Sequence, residues 1–261
     1  MPEPVKVILC GDIATLMFDR PKHYNAFDLD AISNVAEQLI QLAADDTIRA
    51  VVVSGEGKAF CAGGDLRWAT DWPQGPASAF HNLAARFHQA ILEIRRMPKP
   101  VIAAINGIAA GGGFSMALAC DFRVMAKSAV LRQAYTSNGL SIDGGGTFML
   151  PRLVGLARAL EICAFDRPIS AEQALDWGLV PQVVEDGQSI EEANSMATEL
   201  AQISLESFKA SKWLLTDSYS NSFETHLEAE RTALRHCAGH SDGQEGLEAF
   251  LEKRRPVFNK W

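Results

Sequence analysis

The sequence predicts an α/β fold that ends in a helical region, and three observations support this prediction. Short apolar segments typical of buried strands alternate with amphipathic helical segments through the first two thirds of the chain. Two glycine-rich turns directly follow two of these strand-like segments. From Ser189 onward the apolar residues recur at helical spacing alone. We therefore expect an α/β core over residues 1–200 and a helical oligomerisation region over residues 201–261.

The individual elements follow from local patterns. Apolar segments at 5–10 and 13–18 flank a Gly-Asp pair, which predicts a strand hairpin. Residues 67–78 carry two tryptophans and two prolines and are predicted to be an irregular lid or pocket wall, followed by an amphipathic helix that includes Phe80 and Ile94. The other predicted strands lie at 48–54, 101–105, 121–126, 130–132 and 179–184. The other predicted helices lie at 29–44, 114–119, 156–165, 171–177, 190–201, 205–216, 223–235 and 244–253.

Composition and charge exclude several classes of protein. Hydrophobic residues make up 48% of the 261 residues and charged residues 21%, as in a globular protein with a sizeable core. A net charge of -8 argues against nucleic acid as the main partner. The five cysteines are widely spaced without a C-x-x-C motif, so neither a disulfide framework nor a zinc site is expected. With neither an export signal nor an apolar run long enough for a membrane span, we expect a cytoplasmic protein.

Two glycine-rich turns stand out as a candidate site. Gly111, Gly112 and Gly113 lie between a predicted strand and a predicted helix, and Gly63 and Gly64 follow the strand at 48–54. Glycine lets the backbone approach a bound group closely, and the first amides of a helix have no partner of their own. Each turn could therefore direct one amide at the same oxygen. The alternative is that such a turn merely packs tightly against a neighbouring helix.

These turns resemble those of a known family. The motifs Phe60-x-Ala62-Gly63-Gly64-Asp65-Leu66 and Asn106-Gly107-x-Ala109-x-Gly111-Gly112-Gly113, followed by Ala119-Cys120-Asp121, resemble the enoyl-CoA hydratase/isomerase (crotonase) superfamily over residues 7–258. The resemblance implies a spiral of ββα units with a C-terminal helical region. It also implies an acyl-CoA thioester whose carbonyl oxygen is held by the amides of Gly64 and Gly112 while an enolate forms. Further substrate-binding residues that it implies are Lys22, Tyr24, Ala62, Asp65, Leu66 and Tyr135.

The carboxylates distinguish the branches of this superfamily. The two glutamates of its hydratases correspond to Ser115 and Tyr135, neither of which can act as a carboxylate base. Asp143 occupies the position of a catalytic carboxylate in isomerases, and residues 138–147 resemble both the ring-opened aryl-CoA isomerases and the Δ3,Δ2-enoyl-CoA isomerases. The resemblance thus implies that Asp143 moves a proton from carbon 2 to carbon 4 of a 3-enoyl-CoA in lipid (fatty acid) metabolism. An alternative is that Asp143 caps a helix starting near Gly144.

Other functions stay open at this point. A hydratase could use another acid/base pair, and a catalytically silent acyl-CoA-binding or scaffolding protein could keep the fold. In the aryl-CoA dehalogenases of the superfamily, an aspartate at the Asp143 position attacks a ring carbon, an aromatic residue stands at the Tyr135 position, and a histidine activates water. His81 or His88 could supply that histidine. No metal or redox cofactor is expected, since the glycine patterns match neither a P-loop nor a dinucleotide fingerprint.

The resemblance also implies an assembly. Members of the superfamily are trimers or dimers of trimers, and the late helices carry apolar residues that one core would not absorb. These residues are Trp213, Leu214, Leu227, Leu247 and Phe250. We therefore predict a homotrimer or hexamer, with Phe250, Lys253 and Phe258 near a CoA site. Further basic candidates for the polyanionic CoA are Arg20, Arg254 and Arg255.

Overall fold

The computed structural model describes residues 4–258. Its strands are β1 (Val5–Cys10), β2 (Ile13–Phe18), β3 (Ala50–Gly55), β4 (Ala59–Cys61), β5 (Val101–Ile105), β6 (Ile108–Ala110), β7 (Phe122–Ala126), β8 (Val130–Arg132), β9 (Ile169–Ser170) and β10 (Gln182–Val184). Its α-helices are α1 (Leu29–Ala44), α2 (Leu66–Thr70), α3 (Pro76–Arg96), α4 (Gly112–Ala119), α5 (Gly146–Phe165), α6 (Ala171–Asp176), α7 (Ser189–Leu200), α8 (Leu205–Asp217), α9 (Phe223–Gly239) and α10 (Ser241–Glu252). Short 3-10 helices occur at Pro21–His23 and Thr136–Asn138.

The strands form two sheets, which the chain visits in turn. A six-stranded sheet has the order β1-β2-β3-β5-β7-β10, and a four-stranded sheet has the order β4-β6-β8-β9. Three successive strand pairs, β3 with β4, β5 with β6 and β7 with β8, each contribute the first strand to the larger sheet and the second to the smaller one. Helical structure follows each pair. The predicted spiral of ββα units is therefore confirmed.

The larger sheet is covered on both faces. The strands β2, β3 and β5 are buried along their whole length, which explains their continuous apolar sequences. On one face they join a core with α1 and α3, in which Leu39 and Ile94 are fully buried. On the other face α7 inserts Ala193 and Ala197 against Val52. This packing makes a rigid base for the turns that leave the strands.

Several predicted boundaries were wrong for identifiable physical reasons. The strand predicted at 48–54 begins at Ala50, because Ile48 donates its amide to Asp45 in a turn. The segment predicted to be irregular at 67–78 is helical at both ends, since it overlaps α2 at its start and α3 at its end. Asp65 caps α2 by accepting from the amides of Arg67 and Trp68. Of the strand predicted at 179–184, only residues 182–184 form a strand, which is β10. The helix predicted at 156–165 begins ten residues earlier as α5 and is interrupted at Gly155, whose φ is 76°.

The last third of the chain is helical, as predicted. The helices α8, α9 and α10 present many exposed large apolar side chains to the outside. Among the described residues these are Trp213, Leu215, Phe223, Leu227, Leu234, Leu247, Phe250 and Leu251, and Tyr219 is exposed in the turn between α8 and α9. The division at residue 200 and the trimeric or hexameric assembly stay predictions. None of the helices within residues 4–258 is both long and apolar enough to cross a membrane.

Candidate active site

The two glycine-rich turns meet in the structure. The strands β4 and β6 are parallel neighbours in the smaller sheet, so the turns that follow them leave the sheet side by side. A Cβ placed on Gly63 would lie 2.6 Å from the backbone nitrogen of Gly112, which shows how closely the two turns approach. An isolated bridge pairs Gly64 with Phe27 and fixes the first turn to the segment before α1. Gly64 and Gly112 consequently line the same cavity.

The backbone amides of Gly64 and Gly112 are available as donors. Gly112 is the first residue of α4, and Gly111 before it provides no side-chain cap. Among residues 4–258, neither of the two amides donates to a backbone partner in a turn or loop. The start of a helix favours negative charge. The pair is thus suited to an oxygen that becomes negative.

Tight packing also contributes to the choice of glycine in these turns. A Cβ on Gly112 would lie 2.6 Å from the Phe27 ring, and one on Gly113 would collide with the backbone carbonyl of Cys61. The tight packing expected as the alternative is therefore present. The role of the Gly64 and Gly112 amides as donors to the substrate stays a prediction. Cys61 itself is fully buried, its thiol donates to the Asn25 carbonyl at 3.2 Å, and burial raises its pKa to about 12.

The cavity between the turns has a volume of about 120 Å³. Its wall is mainly apolar and aromatic, with ring contributions from Phe27, Phe80, Phe87 and Tyr135. Leu83, Ala84 and Leu140 complete the apolar side. Phe80, Leu83 and Phe87 belong to the region predicted to form a lid or pocket wall. Phe27 was not predicted to be part of a site, because an isolated apolar residue is indistinguishable from a core residue by pattern. The cavity is suited to an apolar or ring-shaped acyl group.

Asp143 lines the same cavity and lies beside helix α3. Its Oδ1 accepts a hydrogen bond from the Tyr135 hydroxyl at 2.5 Å, and its Oδ2 lies 3.7 Å from Nε2 of His88. Burial raises the pKa of this carboxyl above its ordinary value, while the Tyr135 hydrogen bond and His88 act in the opposite direction. An aspartate with a raised pKa at the edge of a cavity is a candidate general base.

The interpretation of Asp143 as a helix cap was wrong. Helix α5 begins at Gly146, its N-cap is Gly145 in the left-handed region, and no side chain caps it. Asp143 supplies only its backbone carbonyl, which accepts from the Gly146 amide at 3.0 Å. Because Gly144 and Gly145 separate Asp143 from the first residue of α5, its carboxylate does not cap the helix. The carboxylate instead contacts the Tyr135 hydroxyl and lines the cavity.

Of the two candidate histidines, the structure brings His88 to the site. Nε2 of His88 accepts a hydrogen bond from the Gly144 amide at 3.3 Å. In this contact Nε2 is the acceptor nitrogen of the ring. His81 is exposed about two turns before His88 on α3, and it has no recorded contact with Asp143 among the described residues.

The remaining predicted substrate-binding residues divide into two groups. Ala62, Leu66 and Tyr135 line the cavity together with the two glycines. Lys22 and Tyr24 are exposed at the short 3-10 helix, outside the cavity wall, and Asp65 caps α2. Lys253 follows the end of α10, and Phe258 lies in a groove between α8 and α10. A role for these residues, and for Phe250, in binding CoA stays a prediction.

The described residues also bear on metal binding. Within residues 4–258, histidine, cysteine, aspartate and glutamate side chains do not gather in groups of three or more that could hold an ion. The expectation of a reaction without a metal or redox cofactor stays a prediction.

Comparison with known proteins identifies the family of this chain. Residues 10–260 match the family model described as enoyl-CoA hydratase/isomerase. The chain belongs to the enoyl-CoA hydratase/isomerase family. This membership confirms the resemblance on which the two-amide site was predicted, and an acyl-CoA thioester substrate is consistent with it.

The relatives within this family differ in activity. The 1,2-epoxyphenylacetyl-CoA isomerase of Escherichia coli is 38% identical, covering 94% of each chain. The 4-chlorobenzoyl coenzyme A dehalogenase-2 of Arthrobacter sp. is 34% identical, and the alignment covers 92% of this chain and 88% of the dehalogenase. The crystal structure of an enoyl-CoA hydratase from Polaromonas sp. JS666 superposes with a TM-score of 0.90 at 37% identity, over 98% of this chain and 99% of that one. The fold is thus shared across enzymes with different reactions.

Proposed function

We propose that this family member is an enoyl-CoA isomerase that moves the double bond of a 3-enoyl-CoA, or of a related ring-derived acyl-CoA, to carbon 2. One observation carries the proposal: Asp143 lines the same cavity as Gly64 and Gly112. A base and two oxyanion donors around one small cavity are the groups that an enolate mechanism needs. We also propose a role in lipid metabolism, because enoyl-CoA thioesters of this kind are the proposed substrates.

The reaction would proceed in two proton transfers. The Asp143 carboxylate removes a proton from carbon 2, and the electrons of that C–H bond form the carbon 1–carbon 2 double bond of an enolate. The amides of Gly64 and Gly112 donate to the enolate oxygen, which is worth about 2.7–4 kcal/mol for each such donor in related sites. The protonated Asp143 then delivers its proton to carbon 4, and the thioester carbonyl forms again beside the new double bond.

The absence of a second carboxylate favours isomerisation over hydration. Ser115, at one hydratase position, is fully buried in α4, and Tyr135, at the other, donates to Asp143. Among the described residues that line the cavity, Asp143 is the single carboxylate. Hydration needs one group to activate water and another to protonate carbon 2. A proton shuttle between two carbons of one substrate needs one group only.

The cavity wall supports a ring-derived acyl group as substrate. Four aromatic residues border a volume of about 120 Å³, and aromatic rings pack favourably against each other in tilted or edge-to-face geometry. The E. coli relative carries the name 1,2-epoxyphenylacetyl-CoA isomerase, in which the acyl group is derived from a phenyl ring. Assays should therefore include cyclic and linear 3-enoyl-CoA thioesters.

The deciding experiment compares wild type with Asp143→Asn on such substrates, following product by mass spectrometry. The variant keeps the size of the side chain but cannot accept a proton, so kcat should fall by about 100-fold or more while CoA-thioester affinity changes little. Asp176→Asn, the same change at an exposed position on α6, is the matched control and should have wild-type activity. Retention of most activity by Asp143→Asn would refute the proposal.

A second function has a specific observation in its favour. His88 lies 3.7 Å from Asp143, as a water-activating histidine beside a nucleophilic aspartate would. In a dehalogenase reaction Asp143 would attack the ring carbon that bears the halogen, halide would leave, and water would hydrolyse the aryl ester. Halide release from 4-chlorobenzoyl-CoA, with an aryl adduct on Asp143 visible by mass spectrometry, would favour this function over isomerisation.

A further inference from the structure

We propose that Tyr135 is a positioning residue that gives the two oxygens of Asp143 different roles. In this proposal Oδ1 is anchored by the tyrosine hydroxyl, and Oδ2 alone carries the proton between substrate carbons. The assignment of that proton rests on the isomerase function proposed above. The anchoring of the carboxylate does not, because it can be measured without substrate.

Tyr135 is itself held rigidly enough to act as an anchor. Its amide donates to Oε1 of Gln133 at 3.0 Å, and Gln133 is fully buried. Its carbonyl accepts from the amides of Asn138 and Leu140 at 2.9 and 3.0 Å. The backbone on both sides of the tyrosine is thus held by hydrogen bonds, and the whole residue is only 9% exposed. Its hydroxyl can therefore restrict the rotation of Asp143 through a hydrogen bond of 2.5 Å.

Among the described residues, no side chain donates a hydrogen bond to the second carboxylate oxygen. The backbone amide of Asp143 is a further donor to this carboxyl, and Nε2 of His88 lies 3.7 Å from Oδ2, which is beyond a hydrogen bond. That nitrogen already accepts from the Gly144 amide, so in this arrangement it has no proton to offer. Oδ2 consequently keeps its lone pairs for a proton from the substrate. The two contacts together make the carboxylate asymmetric.

The charges around Asp143 allow a pH test. Tyr135 faces it from the segment before the aspartate and His88 faces it from α3. The uncharged Ser115 of α4 lies beside Tyr135. Burial and the neighbouring carboxylate raise the pKa of the Tyr135 phenol, so this hydroxyl remains a donor over the range in which enzymes are assayed. Its hydrogen bond lowers the pKa of Asp143. Removing the hydroxyl should therefore make Asp143 harder to ionise.

The first test is Tyr135→Phe, assayed as kcat/KM against pH with a 3-enoyl-CoA. The acidic limb should move to higher pH by about one unit, the size expected for one hydrogen bond to a charged group. Above that limb kcat should fall by roughly tenfold with little change in KM, since the base is misaligned while the thioester contacts remain. Tyr219→Phe, the same change at an exposed tyrosine, is the matched control and should leave the limb in place.

The second test needs no turnover. Protein labelled with 13C at the aspartate carboxyl carbons is titrated by NMR, and the Asp143 signal is assigned by its loss in Asp143→Asn. The Asp143 pKa should be higher in Tyr135→Phe than in wild type, whether or not the enzyme isomerises enoyl-CoA. An unchanged Asp143 titration would overturn the proposal. So would a Tyr135→Phe variant that loses about 100-fold activity at every pH without a shift of the limb, because Tyr135 would then transfer the proton itself.

Discussion

Nζ of Lys212 lies 2.7 Å from Oδ2 of Asp121, with side chains that are 6% and 9% exposed. Lys212 belongs to α8, and it also donates to the carbonyl of Ile94 near the end of α3. Asp121 precedes β7 and accepts from the amide of Val101 at the start of β5. This buried ion pair therefore connects helix α8 of the C-terminal region to the end of α3 and to the starts of β5 and β7.

Removal of one partner from this pair should destabilise the protein strongly. Lys212→Met removes the nearer cation of the buried Asp121 carboxylate and leaves Arg95, 3.7 Å from its Oδ1, as the remaining one. Loss of one partner from a buried pair typically costs about 3–5 kcal/mol. Urea unfolding should show this decrease in the free energy of unfolding. Lys209→Met, which breaks an exposed pair with Glu206 on the same helix, should change it by about 0.5 kcal/mol or less. Equal losses in the two variants would contradict the assigned role of the buried pair.

The hydratase reaction should be slow relative to isomerisation. With Ser115 and Tyr135 at the two glutamate positions, water addition lacks one of its two proton-transfer groups, each worth about 100-fold to 10,000-fold in rate. Crotonyl-CoA at saturation should therefore be hydrated much more slowly than a 3-enoyl-CoA is isomerised. A faster hydration would show that another acid/base pair acts in this cavity.

Isomerase activity should depend on pH through Asp143. The base acts when it is deprotonated, and burial raises its pKa above the ordinary aspartate value. Activity should consequently be lost as the pH falls through that raised value, at a higher pH than an exposed aspartate would give. A profile of kcat/KM against pH measures the limb. Activity that stays constant down to the ordinary range of aspartate would show that the base is a different group.

The Gly112→Ala substitution should disturb the proposed oxyanion site. Its Cβ would lie 2.6 Å from the Phe27 ring, so the amide or the ring must move. Loss of one oxyanion donor typically lowers kcat by about 100-fold to 1,000-fold. Gly239→Ala, at a glycine whose Cβ would meet nothing within 4 Å, is the control and should retain full activity. Equal activity of the two variants would remove Gly112 from the mechanism.

The protein should assemble in solution. The exposed apolar side chains of α8 to α10 and the assemblies expected from the superfamily predict a trimer or hexamer. Light scattering at micromolar concentration should give three or six times the chain mass of 28.4 kDa. A mass equal to one chain would contradict this prediction.

The sequence predicted the fold and the central groups of the site because the relevant patterns are local. Buried parallel strands read as continuous apolar runs, and the motifs of Gly64 and Gly112 come after two such strands, β3 and β5. The short strands β4 and β6, which the two turns leave, were not predicted. The position of Asp143 came from the family resemblance in the same way. These features needed no knowledge of which distant residues touch.

The contacts of Asp143 could not be predicted in the same way. His88 lies on α3, far away along the chain, and its position beside Asp143 depends on how α3 packs against the site. The start of α5 was missed because glycine has a low helix propensity, so the glycines at its first turn gave no helical signal. With the helix start placed wrongly, Asp143 was interpreted as a possible helix cap. Phe27 was missed because its contact with Gly112 exists only after the two segments pair.

The buried thiol of Cys61 affects how the enzyme would tolerate its own product. A 2-enoyl thioester is an electrophile that thiolates attack at carbon 3, and Cys61 ends the strand that leads into the Gly64 turn. With a pKa of about 12, this thiol remains protonated at neutral pH and is a poor nucleophile. Burial beneath Gly113 thus spares the site from self-alkylation. The packing that shapes the turn also gives the protein chemical resistance to the compound it would release.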